Sequence, residues 1–360
     1  TWSPTTAVVT TDSPLTPDAT PSVSTGGGAI TYSIASAGST GCEVDAATGV
    51  LTFDTSGSCT VTATAAATAN YASGATSVTF VISKVAQTIT FGSLTSPRAY
   101  SEKPFAISGT SVITGTTDAT GLVLTFTASP ASVCSVTSGT SLVGGATTGS
   151  VRMLAVGTCT ITAAQAGSST YSAATDVPQT FTITQGLQDD LFFANSLSST
   201  YGQTLTLSTI GGTGSGGVTY NLVDAGTASC SVNSSTGVVT FGDAGECTVS
   251  ATKSGGGVYA DVTTTTATIT VARAPQTTTI TSTVPTNPLP DETYEVTATA
   301  SSPLTPTLSI LGGEGTVCSI SGPGATETIT FLATGTCTVI ASQLGDGQYL
   351  PANPEDTQVI

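Results

Sequence analysis

The chain has 360 residues and a mass of 35.2 kDa, with 22 acidic side chains, 6 basic ones, no histidine and a net charge of −16. Without histidine, Ser–His–Asp and Cys–His catalysis and imidazole metal sites are excluded, and so few Lys and Arg do not suit a nucleic-acid partner. Charged residues are only 8% of the chain, against about 25% in ordinary soluble domains, and no apolar run reaches the ~18–20 residues of a membrane helix.

Apolar residues alternate with Thr or Ser over short runs such as Thr158–Ala163 and Gln179–Thr184, with Gly, Ser, Asn, Asp and Pro clusters between them. A period of two rich in β-branched residues marks strands half buried on one face, and the clusters supply turns. No stretch of twelve residues keeps a helical period, so the fold class is all-β. Length alone predicts two or three domains. Internal repetition corrects that to four.

In chain order, residues 1–84 form the first repeat. Its opening strand is atypical, and Gly26-Gly27-Gly28 precedes the first clear alternation. A segment Ala-Gly-x-x-x-Cys42-x-Val44 follows, then Thr48–Phe53, and then Gly57-x-Cys59-Thr-Val-x-Ala63. Residues 85–185 form the second repeat, with strands expected at Gln87–Phe91, Pro104–Ser108, Leu122–Ala128, Val133–Thr137, Val151–Ala155, Thr158–Ala164 and Gln179–Thr184. Seven strands in about 95 residues fit an immunoglobulin-like β-sandwich. The third repeat, 186–272, returns to the pattern of the first, with Cys230, Thr236–Phe241 and Gly245–Ala251. The fourth, 273–360, shares with the second its Gln-Thr opening, Gln276–Thr279 against Gln87–Thr90. The alternation suggests duplication of a two-repeat block. The short junctions predict an elongated array, on the order of 150 Å at ~3.3 Å per strand residue.

The motif Gly-x-Cys-Thr-[Val/Ile]-x-Ala recurs at Gly57, Gly157, Gly245 and Gly335, and a tyrosine follows each of its cysteines by twelve residues: Tyr71, Tyr171, Tyr259 and Tyr349. In the second repeat the sequence runs Tyr100-Ser-Glu-Lys-Pro-Phe-Ala-Ile-Ser, Ser132-Val-Cys-Ser-Val, Gly157-Thr-Cys-Thr-Ile-Thr-Ala, Tyr171-Ser-Ala-Ala and Gln179-Thr-Phe-Thr-Ile. It resembles the bacterial Ig-like repeats of large secreted surface proteins, in the group that includes the MBG-type modules. The fourth repeat is similar through Val317-Cys-Ser-Ile and Gly335-Thr-Cys-Thr-Val, while the first and third depart at their N-terminal strands. The resemblance implies a fold and a compartment, in proteins that serve as stalks, adhesin shafts and surface layers or fibres.

Eight cysteines, two per repeat, are too regular for free thiols. Of the 105 connectivities open to eight cysteines, pairing within each repeat is the economical one: Cys42–Cys59, Cys134–Cys159, Cys230–Cys247 and Cys318–Cys337. Strand parity supports it, since Cys159 shares a face with Ile161 and Ala163, and Cys134 with Val136. Such bridges imply an oxidising compartment, extracellular or at the cell surface. A metal reading lacks any Cys-x-x-Cys spacing. The repeated tyrosines fall in the loop after the cysteine strand, where a ring covers one end of the sandwich or meets a neighbouring domain.

Other signals are weaker. Gly212–Gly217 has the Gly-x-Gly-x-x-Gly spacing but leads into a strand at Val218–Leu222, whereas a dinucleotide loop must lead into a helix. The carboxylate pairs Asp189-Asp190, Asp291-Glu292 and Glu355-Asp356 read as solvated turns, with Asp189 and Asp190 as weak calcium candidates at a junction. No cofactor and no catalytic residue are expected. Asn233-Ser234-Ser235 has the spacing of a glycosylation acceptor. Thr1 is not an initiator methionine and no signal peptide precedes it, so the chain is expected to be a processed form or a fragment.

The expected function is structural, the building block of a bacterial surface filament or adhesin shaft that self-associates or adjoins neighbouring domains of the same large protein. The poorly charged sheet edges favour a filament, and strand donation between subunits is an open route to one. The alternative is an adhesin segment whose loops hold a glycan or a host protein. An enzyme is the third reading, and the residues to support it are missing.

Overall fold

Alternation of apolar and hydroxyl residues puts one face of each strand inside and leaves the other to solvent. Gly157–Ala164 shows it plainly: Cys159, Ile161 and Ala163 are fully buried, and the threonines between them face outward. In the computed structural model, which describes residues 1–23 and 26–360, the protein is all-β, with one 3₁₀ turn at Thr10–Asp12. It divides into two compact units, Thr1–Gly186 and Leu187–Ile360. The boundary falls in the junction between the second and third repeats.

The first unit holds two hydrophobic clusters. One gathers Leu51, Phe53, Cys59, Val61, Phe80 and Ile82 under Trp2, the other Leu124, Phe126, Cys134, Val151, Cys159, Ile161 and Phe181. Around the first cluster, Ala7–Val9, Gly74–Ser83, Gly57–Ala65 and Ile30–Ser36 form one sheet, faced by the hairpin Glu43–Val44 and Leu51–Thr52. The atypical first strand is Ala7–Val9, which runs parallel to Gly74–Ser83 with Val8 opposite Ile82.

Around the second cluster one sheet runs Cys134–Val143, Ala146–Met153, Phe105–Ile113, Gln87–Phe91. The other runs Thr125–Ser129, Gly157–Ala164, Val177–Thr184, Arg98–Ala99. Gln87–Phe91 is a strand with the expected ends; the other six are displaced or longer, Leu122–Ala128 as Thr125–Ser129, Thr158–Ala164 as Gly157–Ala164 and Gln179–Thr184 as Val177–Thr184. The strand expected to stop at Thr137 continues to Val143, and the one expected at Val151–Ala155 starts at Ala146 and ends at Met153. The two make one hairpin with a bulge between Ser138 and Leu142. The bulge breaks the alternation that marks a strand in sequence. Pro104–Ser108 likewise extends to Ile113.

The second unit repeats the plan. Its third-repeat cluster contains Leu207, Cys230, Val239, Cys247, Val249 and Ile269, and its fourth-repeat cluster Val296, Leu308, Cys318, Ile329, Cys337 and Val339. Gly212–Gly217 leads into the strand Val218–Asp224.

Disulfides join Cys42 to Cys59, Cys134 to Cys159, Cys230 to Cys247 and Cys318 to Cys337. In the second repeat Cys134 lies on one sheet and Cys159 on the other, so the bridge ties the sandwich across its core. The motif glycine opens the strand of the second cysteine at Gly57, Gly157 and Gly245 and precedes the strand Thr338–Ser342 at Gly335, with φ between +145° and +157° throughout, where an L side chain is strained. A Cβ at Gly245 would lie 2.3 Å from Thr227 Oγ1, and one at Gly335 2.7 Å from Val317. The outer faces carry cross-strand hydroxyl pairs, including Thr60–Thr79 at 2.9 Å, Thr160–Thr180 at 3.1 Å, Ser231–Thr240 at 2.7 Å and Thr281–Thr297 at 2.8 Å.

Candidate functional site: the repeat junctions

Within each unit one repeat hands the chain to the next through the same set of contacts. Beyond the closing strand of the first repeat the chain runs Lys84-Val85-Ala86-Gln87, and beyond that of the third Arg273-Ala274-Pro275-Gln276. Each segment passes beside the tyrosine loop of the following repeat. Lys84 Nζ donates to the Ser168 carbonyl at 2.5 Å, and Arg273 donates to the Asp346 carbonyl at 3.2 Å. Ser168 and Asp346 both lie three residues before the repeated tyrosine.

One position on, the backbones pair. The Val85 N–H donates to Thr170 and the Val85 carbonyl accepts from Ser172, both at 2.9 Å. The Ala274 N–H donates to Gln348 and the Ala274 carbonyl accepts from Leu350, both at 2.8 Å. These are short parallel bridges of Val85 with Tyr171 and Ala274 with Tyr349.

Two positions further the glutamines close the contact. Gln87 Nε2 donates to the Ser172 carbonyl at 2.6 Å, and its Oε1 accepts from the Ser111 hydroxyl. Gln276 Nε2 donates to the Leu350 carbonyl at 2.7 Å, and its Oε1 accepts from the Ser302 hydroxyl. In the third repeat Gln188 Nε2 donates to Ala260 at 2.8 Å and to Lys253, while its Oε1 accepts from the Gly214 N–H. Ser172, Ala260 and Leu350 each immediately follow a repeated tyrosine. Gln87 and Gln276 are buried, so an amide that both donates and accepts is what satisfies the pole of the sandwich.

Further contacts flank each junction. In the first unit Thr10 Oγ1 donates to the Thr170 carbonyl at 2.7 Å. In the second, the Tyr201 and Tyr349 rings meet edge to face at 5.6 Å between centroids, and Gln348 Nε2 donates to Asp243 at 2.8 Å. That amide, with the Ser229 hydroxyl, holds the Asp243 carboxyl below its ordinary value.

At Tyr171 and Tyr349 the tyrosine loops therefore engage, through their backbone, the segment by which the chain enters the same repeat. The Tyr71 ring is half exposed and lies against Gly26. Gln87 and Gln276 share the Gln-Thr opening, whereas Gln188, followed by Asp189 and Asp190, escapes motif reading. The usable signal is their register: each lies five positions beyond a buried residue of the preceding closing strand, Ile82, Ile183 or Val271.

Asp189 and Asp190 are exposed, and the Asp189 N–H donates to Thr213 Oγ1. Among the described residues no group of three or more His, Cys, Asp or Glu is placed to hold a metal ion, and no helix is long and apolar enough to cross a membrane. Asn233 caps its own turn, its side-chain oxygen accepting from the N–H groups of Ser235 and Thr236. Elsewhere two carboxyls are held low by local turns: Asp18 by the hydroxyl and N–H of Thr5, and Asp45 by the N–H and hydroxyl of Thr48 and the N–H of Ala47.

No family model matches the chain, and no curated protein matches it. Among solved structures, a protocadherin γB4 extracellular domain is similar at 15% identity and a TM-score of 0.30, over 96% of this chain and 62% of that one. Domains 4 and 5 of the S-layer protein SbsC match at 18% identity and a TM-score of 0.26, over 47% of this chain and 80% of that one. The Escherichia coli adhesin FdeC matches at 16% identity and a TM-score of 0.23, over 74% of this chain and 95% of that one. The present chain thus spans about three-fifths of the protocadherin ectodomain. These likenesses identify no MBG-type family and no ligand.

Proposed function

We propose that this chain is a structural segment of an extracellular bacterial surface protein, a building block of a filament or an adhesin shaft, made of four disulfide-tied Ig-like repeats. The observation that carries the reading is the repeated junction. In two separate pairs of repeats, the segment that enters the second member is fixed to that member's tyrosine loop by equivalent atoms: a basic side chain on a loop carbonyl, a parallel backbone bridge and a buried glutamine amide. A linker free to swing needs no such contacts, and interdomain motion is the default where they are missing. A junction specified residue by residue suits a protein whose task is to hold a fixed geometry.

The disulfides support an oxidising compartment, and the small share of charged residues, 8% of the chain, leaves most of the outer faces neutral. Negative-stain imaging of the native material tests the proposal. Fibres with a repeat set by the chain support the filament form. Only short monomeric rods at high concentration overturn that form.

A further inference from the structure

The third repeat departs from its neighbours along the edge of its first strand. In the second repeat Gln87–Phe91 turns Ile89 and Phe91 inward and sets Thr90 opposite Thr110 on the outer face. In the fourth, Thr278–Ile280 sets Thr279 opposite Thr299. At the same place in the third repeat, Leu191–Phe193 sets Phe192 opposite Ile210, and these two side chains are 58% and 60% exposed. The edge beside them also lacks a cover that the other two have. Two positions after the motif cysteine, the closing strand places Gln179 opposite Ile161 in the second repeat and Gln358 opposite Val339 in the fourth. Each glutamine gives its amide to a carbonyl at or just beyond the first strand, Gln179 to Phe91 at 3.0 Å and Gln358 to Ser282 at 2.9 Å. The third repeat has Ala267 there, opposite Val249. Among the described residues no side chain bonds the backbone of Leu191 or Phe193. The Ala194 N–H donates to the Ser208 carbonyl at 2.9 Å. Bonds to the inner neighbour therefore fall at Phe192 and Ala194, and the N–H and C=O groups of Leu191 and Phe193 point away from it.

We infer that this edge is a self-association site: it takes the same edge of a second copy of this chain, antiparallel, about a two-fold axis at Phe192. The inference rests on the self-associating form of the function proposed above and names its contact. Three features select that occupant. With Phe192 at the axis, Leu191 stands opposite the second copy's Phe193 and exchanges both backbone bonds with it, so each edge supplies what the other lacks. The two Phe192 residues then form a non-hydrogen-bonded pair, where side chains lie closest, and each ring continues the apolar stripe begun by its own Ile210. Charge favours the same direction. Antiparallel pairing sets Asp190 opposite Ala194 and Asp189 opposite Asn195, whereas parallel pairing in register would set each aspartate against itself, on a chain already at −16. Leu191–Phe193 contains no Lys, Pro or Gly of the kind that blocks edge pairing. So short an edge covers less than the ~1,200–2,000 Å² of a stable interface. The contact is therefore weak by itself and gains strength where copies are held in an array.

Sedimentation equilibrium of the full 360-residue chain over a rising concentration series tests the contact. The expected result is a reversible monomer–dimer equilibrium, weakened about tenfold or more in Phe192→Thr, the factor for roughly 1.4 kcal/mol. Ile210→Thr is expected to act in the same direction, and it replaces Phe192→Thr if thermal unfolding shows that variant to be misfolded. A further variant, Phe192→Cys, adds one free thiol to a chain whose own cysteines are all paired. Air oxidation is expected to join two copies through position 192, whereas Thr90→Cys, at the matching place in the second repeat, stays monomeric at the same concentration. A chain that stays monomeric throughout the series, a dimer that Phe192→Thr leaves unchanged, or cross-linking no faster at position 192 than at position 90 overturns the inference. Failure of the filament form looks different. Dimers abolished by Phe192→Thr, with only short rods in images of the native material, refute the filament and support this contact. Fibres that assemble equally well from Phe192→Thr refute this contact alone.

Discussion

Gln276 gives its side-chain amide to the carbonyl of Leu350 at 2.7 Å, across 74 residues of chain. The contact joins the first residues of a repeat to the loop that follows its cysteine strand. Gln87 and Ser172 hold the same relationship at 2.6 Å.

Gln276→Ala is therefore expected to destabilise the fourth repeat by about 1–2 kcal/mol, because the Leu350 carbonyl and the Ser302 hydroxyl both lose a partner. Gln276→Glu is expected to cost more, since a carboxylate would face a carbonyl oxygen. Chemical unfolding of the two variants checks the order.

Replacing Cys134 and Cys159 together by alanine opens a loop of 25 residues and is expected to remove roughly 3 kcal/mol of stability. Reducing the native chain should lower stability in the same direction, whereas reductant should leave the second repeat of the double variant unaffected. Thermal unfolding with and without reductant reads both.

Gly157→Ala and Gly245→Ala separate backbone strain from crowding. Both glycines lie near φ +145°, so each substitution is expected to cost roughly 1–3 kcal/mol from the backbone alone. A Cβ at position 157 meets nothing nearer than Val133 at 3.5 Å, while one at 245 meets Thr227 Oγ1 at 2.3 Å and the Thr227 carbonyl carbon at 3.0 Å. The Gly245 variant should be the less stable of the two by urea titration.

The junction between the third and fourth repeats should loosen in acid. Asp243 is held below its ordinary value of 3.8 by the Gln348 amide and then by the Ser229 hydroxyl. A carboxyl with a lower value folded than unfolded adds stability above the unfolded value, and that stability is lost as pH falls through the folded one. Hydrogen exchange at Ala274 and Leu350 should speed up below about pH 4. The Asp243→Asn variant should show a smaller change over the same range.

Much of this architecture is legible in the order of residues. Cys159, Ile161 and Ala163 announce their buried face by parity alone, and the Gly-x-Cys-Thr motif marks the start of the same strand in every repeat. The Ser138–Val143 extension is not legible, because the bulge there interrupts alternation and Gly139 carries no side chain to signal a face. Gln87 and Gln276 stand out only as parts of a shared opening, and Gln188, followed by two aspartates, does not resemble them. Their equivalence is a matter of distance from the closing strand, and that distance counts only once the strand's register is known. The tyrosines are visible at once. What they mark is a loop whose neighbouring carbonyls and N–H groups make the contacts.

The hydroxyl pairs on the outer faces, such as Thr160 with Thr180 and Ser231 with Thr240, have a consequence for the medium this protein tolerates. Attraction between opposite surface charges fades as salt rises and the Debye length shrinks. Neutral cross-strand hydroxyls have no such dependence. With a net charge of −16, added salt mainly relieves self-repulsion. The sheets should therefore hold as firmly in brine as in fresh water.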